Sequence, residues 1–133
     1  MKAPKIWNIK KKVMHKPEEI ASIHFNQGKI YAITLCYVGI LLIKDMKVLR
    51  PTERKDKHGK ELFEGDLVQL QNCPETLGEI RWATITSKFW IDWSIGKNIW
   101  SSKELWPGIY LSEMLKKVGN SYENPELLQE KNK

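Results

Sequence analysis

Residues 78–92 read Gly-Glu-Ile-Arg-Trp-Ala-Thr-Ile-Thr-Ser-Lys-Phe-Trp-Ile-Asp. The apolar positions recur with a period of two. Ile80 and Trp82 fall on one side of an extended chain, and Glu79 and Arg81 on the other. Thr86-Ser87-Lys88 supplies a turn. After it, Phe89, Ile91 and Trp93 share a face while Trp90 and Asp92 point away. That pattern is two half-buried strands, and it sets the class as mainly β.

Working outward, Leu67-Val68-Gln69-Leu70 is a further strand entered through the tight turn Glu64-Gly65-Asp66. Short strands at even spacing with glycine turns predict a small β-barrel, SH3-like or related, over residues 61–133. Leu111, Met114, Leu115 and Val118 fall at helical spacing, so 111–118 is expected to be a helix stopped by Gly119-Asn120. Tyr122-Glu123-Asn124-Pro125-Glu126-Leu127-Leu128 predicts a second short helix. Asn124 is its cap and Pro125 its first residue.

The first half is expected to be a basic β-hairpin extension and loop over residues 1–60. Ile6–Ile9 and Val13-Met14 flank the basic turn Lys10-Lys11-Lys12. Lys16–Glu19 is expected to form a single helical turn. Ala21–Leu35 is a hairpin candidate around Asn26-Gln27-Gly28-Lys29. Gly39 breaks the apolar run and leaves a strand at Ile40–Ile43. Pro51–Lys60 reads as a linker or a long exposed loop, with Gly59 as its turn residue.

The chain has 133 residues and a formal charge of +6, distributed unevenly. Residues 1–60 hold 14 Lys and Arg against 5 Asp and Glu, whereas the remainder hold 8 against 11. Basic surface attracts nucleic acid by releasing counterions, and it also keeps small proteins soluble. The candidate nucleic-acid contacts are Lys10, Lys11, Lys12, Arg54, Lys55, Lys57 and Lys60. The alternative for them is two solvated loops. The six tryptophans are Trp7, Trp82, Trp90, Trp93, Trp100 and Trp106. They can serve either as core or as a stacking platform.

Glu61, Glu64 and Asp66 bring three carboxylates together, and Asp92 could join them. Acid–base or magnesium chemistry needs such groupings. Turn chemistry is the reading favoured for them, with Gly65 giving backbone freedom and Asp66 bonding a nearby amide. No phosphate cradle, nucleophile elbow or zinc spacing of Cys and His is present. The expectation is therefore no enzyme activity, no metal and no cofactor. Cys36 and Cys73 form no paired motif, and no apolar signal core or membrane span is apparent. These features predict a cytoplasmic protein with no membrane partner. The apolar 30–43 segment and the C-terminal residues are candidate self-association surfaces.

Two longer motifs carry a family resemblance. Arg54-Lys55-Asp56-Lys57-His58-Gly59-Lys60-Glu61-Leu62-Phe63-Glu64-Gly65-Asp66-Leu67-Val68 resembles the KDKNGKEI and YEGDIV pattern of the YopX family of bacteriophage and prophage proteins. Gly119-Asn120-Ser121-Tyr122-Glu123-Asn124-Pro125-Glu126-Leu127-Leu128 is similar to that family's closing GNIYENPELL. Trp7 before a lysine-rich turn is a weaker third point. The departures are Glu53 and Arg54 in place of Gly-Leu after the threonine, His58 for Asn, and Ser121 for an apolar residue. The resemblance implies a mainly β small-barrel fold in a bacterial host cell and a phage or prophage origin. It implies no catalytic residues. It marks Gly59, Gly65, Asp66, Tyr122, Asn124 and Pro125 as structural. The expected function is a non-enzymatic binding or assembly module. The alternative is a nucleic-acid-binding module using the basic turns. Candidate partners are a second copy, DNA or RNA, or another phage or host protein.

Overall fold

The computed structural model describes residues 3–70, 73–93, 103–104 and 114–131. The chain is mainly β, with one short helix among the described residues. It divides into two compact units at Leu49–Arg50.

The first unit holds β1 (Lys5–Asn8), β2 (Val13–His15), β3 (Ile20–Asn26), β4 (Lys29–Leu35), β5 (Gly39–Leu42) and β6 (Met46–Leu49). They form two antiparallel three-stranded sheets, ordered β2-β1-β6 and β3-β4-β5. This is more than the hairpin extension expected of this region. Ile6 and Met46 from one sheet bury with Ile33, Leu35 and Leu41 from the other, so each supplies the other's apolar cover. Gln27 (φ +54°) and Gly28 (φ +77°) make the β3–β4 connection. Two consecutive positive φ values suit the right-handed twist of a two-residue hairpin turn.

The β1–β2 turn is organised by the buried Asn8. Its Oδ1 accepts from the Lys11 amide at 3.1 Å, which leaves its side-chain amide facing His15 Nε2 at 3.3 Å. His15 Nδ1 then lies 3.2 Å from Glu19 Oε2. An imidazole carrying its proton on Nδ1 satisfies both contacts. The 3-10 turn Pro17–Glu19 matches the expected single turn.

The second unit contains β7 (Pro51–Lys55), β8 (Glu61–Phe63), β9 (Asp66–Leu70), β10 (Cys73–Ala83), β11 (Lys88–Asp92), β12 (Lys103–Glu104), β13 (Leu115–Asn120) and α1 (Pro125–Lys131). β7 and β8 pair with each other, and the other five strands form an open sheet ordered β12-β11-β10-β9-β13. No sheet closes into a barrel among the described residues, which corrects the SH3-like expectation. The predicted faces of β10 and β11 are as read: Ile80 opposes Ile91, Trp82 opposes Phe89, and Arg81 opposes Trp90. Val68, Ile80, Ile91, Trp93 and Leu115 make the core with Leu62. Gly78 is needed there, since a Cβ would lie 2.7 Å from the Trp93 ring.

Two expectations fail. Part of the predicted loop 51–60 is a strand. Within the predicted helix 111–118, residues 115–118 lie on β13, and 111–113 fall outside the described residues. Pairing with β8 extends the first and pairing with β9 extends the second, and the Asp56 carboxylate, at 6% exposure, ties the loop after β7 to β13. Its Oδ1 accepts from the His58 and Lys60 amides, both at 2.9 Å, and its Oδ2 accepts from the Lys117 amide at 2.9 Å. The Lys57 amide also donates to the Leu115 carbonyl at 2.9 Å. Residues 115–117 are thus held extended between β9 and the 56–60 loop. The loop covers an edge that an open sheet would leave exposed.

Burial alone would raise the Asp56 pKa. The amides of Lys117, Lys60 and His58, with the charge of His58, outweigh it and hold the carboxyl below its ordinary value. A depressed folded pKa stabilises the fold above the unfolded value of about 4, and that stability is lost as pH falls through the folded value. Asp56→Ala is expected to cost about 3 kcal/mol, because three amides lose a shared buried acceptor. Asp56→Asn should cost less at pH 7 and should flatten the loss of stability between about pH 5 and pH 3. Urea midpoints across that range check both. A midpoint for Asp56→Ala equal to wild type would contradict the role.

Candidate functional site

The Glu64-Gly65-Asp66 turn and the Tyr122 segment meet on β10. The Gly65 amide donates to the Ile80 carbonyl at 2.7 Å, and the Gly65 carbonyl accepts from the Ser121 amide at 2.9 Å. Gly65 has φ +90°, and a Cβ there would lie 2.7 Å from Tyr122 Cε2. Only glycine allows the ring this approach. Asp66 Oδ2 accepts from the Phe63 amide at 2.7 Å and pairs with Lys117 Nζ at 3.3 Å. Asn120 closes the other side. Its Oδ1 accepts from the Tyr122 and Glu123 amides at 3.0 and 2.7 Å, and its side-chain amide donates to Glu123 Oε1 at 2.8 Å. Asn124 was expected to cap the helix that Pro125 begins. It stands at that position, its carbonyl accepting from the Leu127 amide at 3.1 Å, and its Oδ1 accepts from the Asn120 amide at 3.1 Å.

These contacts frame a cavity of about 270 Å³ lined by Glu64, Gly65, Glu79, Ile80, Arg81, Trp82 and Tyr122. Arg50 Nη1 lies 3.3 Å from Glu64 Oε1, and the Arg50 guanidinium sits 5.0 Å from the Trp82 ring centre. Trp82 meets Phe89 edge to face at 4.8 Å. Arg81 pairs with Glu79 at 3.2 Å and with Asp92 at 3.3 Å, and lies 5.9 Å from the Trp90 ring centre. Burial raises the Tyr122 phenol pKa. The Glu64 and Glu79 carboxylates raise it further, and Arg81 partly offsets them. The field at the phenol is therefore negative on balance.

The carboxylates that the sequence grouped go to different tasks. Glu64 holds Arg50, Asp66 holds Lys117, Asp92 holds Arg81, and Glu61 is exposed on β8. No group of three His, Cys, Asp or Glu suited to a metal occurs among the described residues. The basic residues divide between the units. Lys10, Lys11 and Lys12 occupy the β1–β2 turn, where Lys10 pairs with Asp45 at 3.6 Å. Arg54 and Lys55 lie on β7, and Lys57 and Lys60 lie in the loop whose turn residue is Gly59 (φ +82°).

Of the tryptophans, Trp93 is core, Trp7, Trp82 and Trp90 are half-buried, and Trp100 and Trp106 lie outside the described residues. Cys36 is an exposed free thiol, and the Cys73 side chain lies outside the described residues. Ile40 and Leu42 are exposed on β5, an edge strand of its sheet. No described helix is long and apolar enough to cross a membrane.

Sequence reasoning missed Glu79, Arg81 and Arg50 as pocket residues. Glu79 and Arg81 carried a signal, since opposite charges two apart on one strand face converge. Arg50 carried none.

The YopX protein family model matches residues 5–129, and the chain belongs to that family. Two solved structures are similar over almost their full length. Protein EF1440 from Enterococcus faecalis is 18% identical with a TM-score of 0.61, covering 95% of this chain and 96% of that one. Protein yopX from Bacillus subtilis is 15% identical with a TM-score of 0.56, covering 95% of each. At such identities the likeness concerns the fold alone. No curated protein matches.

Proposed function

We propose that this YopX family protein is a non-enzymatic binding or assembly module of phage or prophage origin, acting in the cytoplasm of a bacterial host. The observation that carries the reading is the use made of the motif acids. Asp56 is taken up by three amides, and Asp66 by an amide and a lysine. The motifs therefore build a framework, and the framework presents a pocket and a basic hairpin. General-base or metal chemistry at those two acids would need them free to reach a substrate or ion. The phage origin rests on the family resemblance, and the exposed Cys36 thiol suits a reducing compartment.

Calorimetric titration with magnesium and with manganese tests the reading. The expected result is no saturable heat at millimolar ion. Saturable binding accompanied by turnover of a phosphodiester would overturn it.

The second reading is nucleic-acid contact through the β7–β8 hairpin. The observation favouring it is that Arg54, Lys55, Lys57 and Lys60 lie on one two-stranded element, with the three lysines exposed. Retention on single- and double-stranded DNA at about 50 mM salt is its test, because phosphate contacts are strongest there. On this reading, replacing Lys55, Lys57 and Lys60 by Ala lowers the slope of log affinity against log salt by about 2 to 3. No retention at that salt would dismiss it.

A further inference from the structure

The pocket beside Tyr122 is about 270 Å³, below the roughly 300–1,000 Å³ of sites for drug-sized ligands. It has room for one side chain rather than a nucleotide cofactor. Its walls are two aromatic rings and two carboxylates. Of the lining residues, two acids, Glu64 and Glu79, stand against one base, Arg81, so the lining itself carries one excess negative charge, and Arg50 meets Glu64 from beside it. Among the described residues, every side-chain contact of Glu64 and Glu79 falls on Oε1, which leaves Oε2 of each without a partner there. Arg50 shows how a guanidinium is received here. It bonds Glu64 and lies over Trp82.

We propose that this pocket takes an arginine side chain presented by a partner polypeptide, with the guanidinium between the Glu64 and Glu79 carboxylates and against the Trp82 and Tyr122 rings. The proposal rests on the reading of the chain as a binding module and names the chemistry of its partner. A planar cation with several N–H donors can use two carboxylates and an aromatic face together. A lysine ammonium has no planar face to stack. An anion would meet the excess negative charge, which also raises the Tyr122 phenol pKa.

Amide and indole shifts of the full chain, followed by NMR, test the proposal against N-acetyl-arginine amide, the lysine and glutamate equivalents, and a short arginine-containing peptide. Expected are saturable shifts at Gly65, Arg81, Tyr122 and the Trp82 indole. They should weaken several-fold between about 0.05 and 0.5 M salt as the Debye length shortens. Glu79→Gln and Glu64→Gln should each reduce affinity about tenfold, while Glu18→Gln, an exposed acid of the first unit, should leave it unchanged. The two isosteric changes stand in for each other if one fails to fold, and spectral dispersion reports folding directly. The peptide should bind more tightly than the isolated side chain, and equal binding would overturn the polypeptide source. Absence of saturation by arginine amide and peptide alike, or equal binding of lysine amide, would overturn the guanidinium assignment. Binding of the glutamate derivative in its place would overturn the assignment while leaving a binding module intact. Failure of that underlying reading would show separately, as metal binding with turnover.

Discussion

Three backbone amides converge on the Asp56 carboxylate, and the second unit is arranged around that convergence. Two of the amides come from the carboxylate's own loop. The third comes from Lys117, far along the chain. A short polar loop and a strand of modest β propensity are thereby joined. A buried acceptor shared by several amides is costly to remove, which is why an acid can occupy a core position. The same lysine residue returns its ammonium to Asp66, so its main chain serves one motif acid and its side chain another.

The pocket follows from this arrangement. β13 runs directly into the Asn120–Asn124 turn, and that turn sets Tyr122 against Gly65. Gly119 shares the requirement. At φ +158° it lies close to extended geometry, but a Cβ there would come 2.5 Å from Asn124 Oδ1. The long motifs of the chain thus fix backbone positions. The groups left to recognise something else, Glu79, Arg81 and Trp82, come from the amphipathic strand between them.

What the sequence made legible follows the range of the interactions. The faces of β10 and β11 obey a period of two that sterics impose locally. The β3–β4 turn and the Pro125 helix start likewise depend on neighbours in sequence. The apolar positions 111, 114, 115 and 118 have helical spacing. Residues 115–118 are nonetheless extended, because pairing with β9 and the Asp56 loop overrides a weak local preference. Asn124 was legible as the residue before the helix, whereas the bond of its Oδ1 to the Asn120 amide was not, since it reaches back into the preceding turn. Barrel closure was out of reach as well. It depends on where strand edges meet, and hairpin spacing alone says nothing of that. The first unit was under-read because its two sheets bury a core only by packing on each other.

The pocket was partly visible. Gly65 and Tyr122 belong to the recognised motifs, whereas Arg50 reaches Glu64 and Trp82 across a strand pairing the composition did not announce. Native-state hydrogen exchange at the Lys60 and Lys117 amides tests the central claim, that the Asp56 carboxylate is the fastening on which the second unit depends. If it is, both amides open only with the unit as a whole and share the protection of Ile80 and Ile91 in the core. Exchange of Lys60 and Lys117 by a low-energy local opening, with the core still protected, would contradict it.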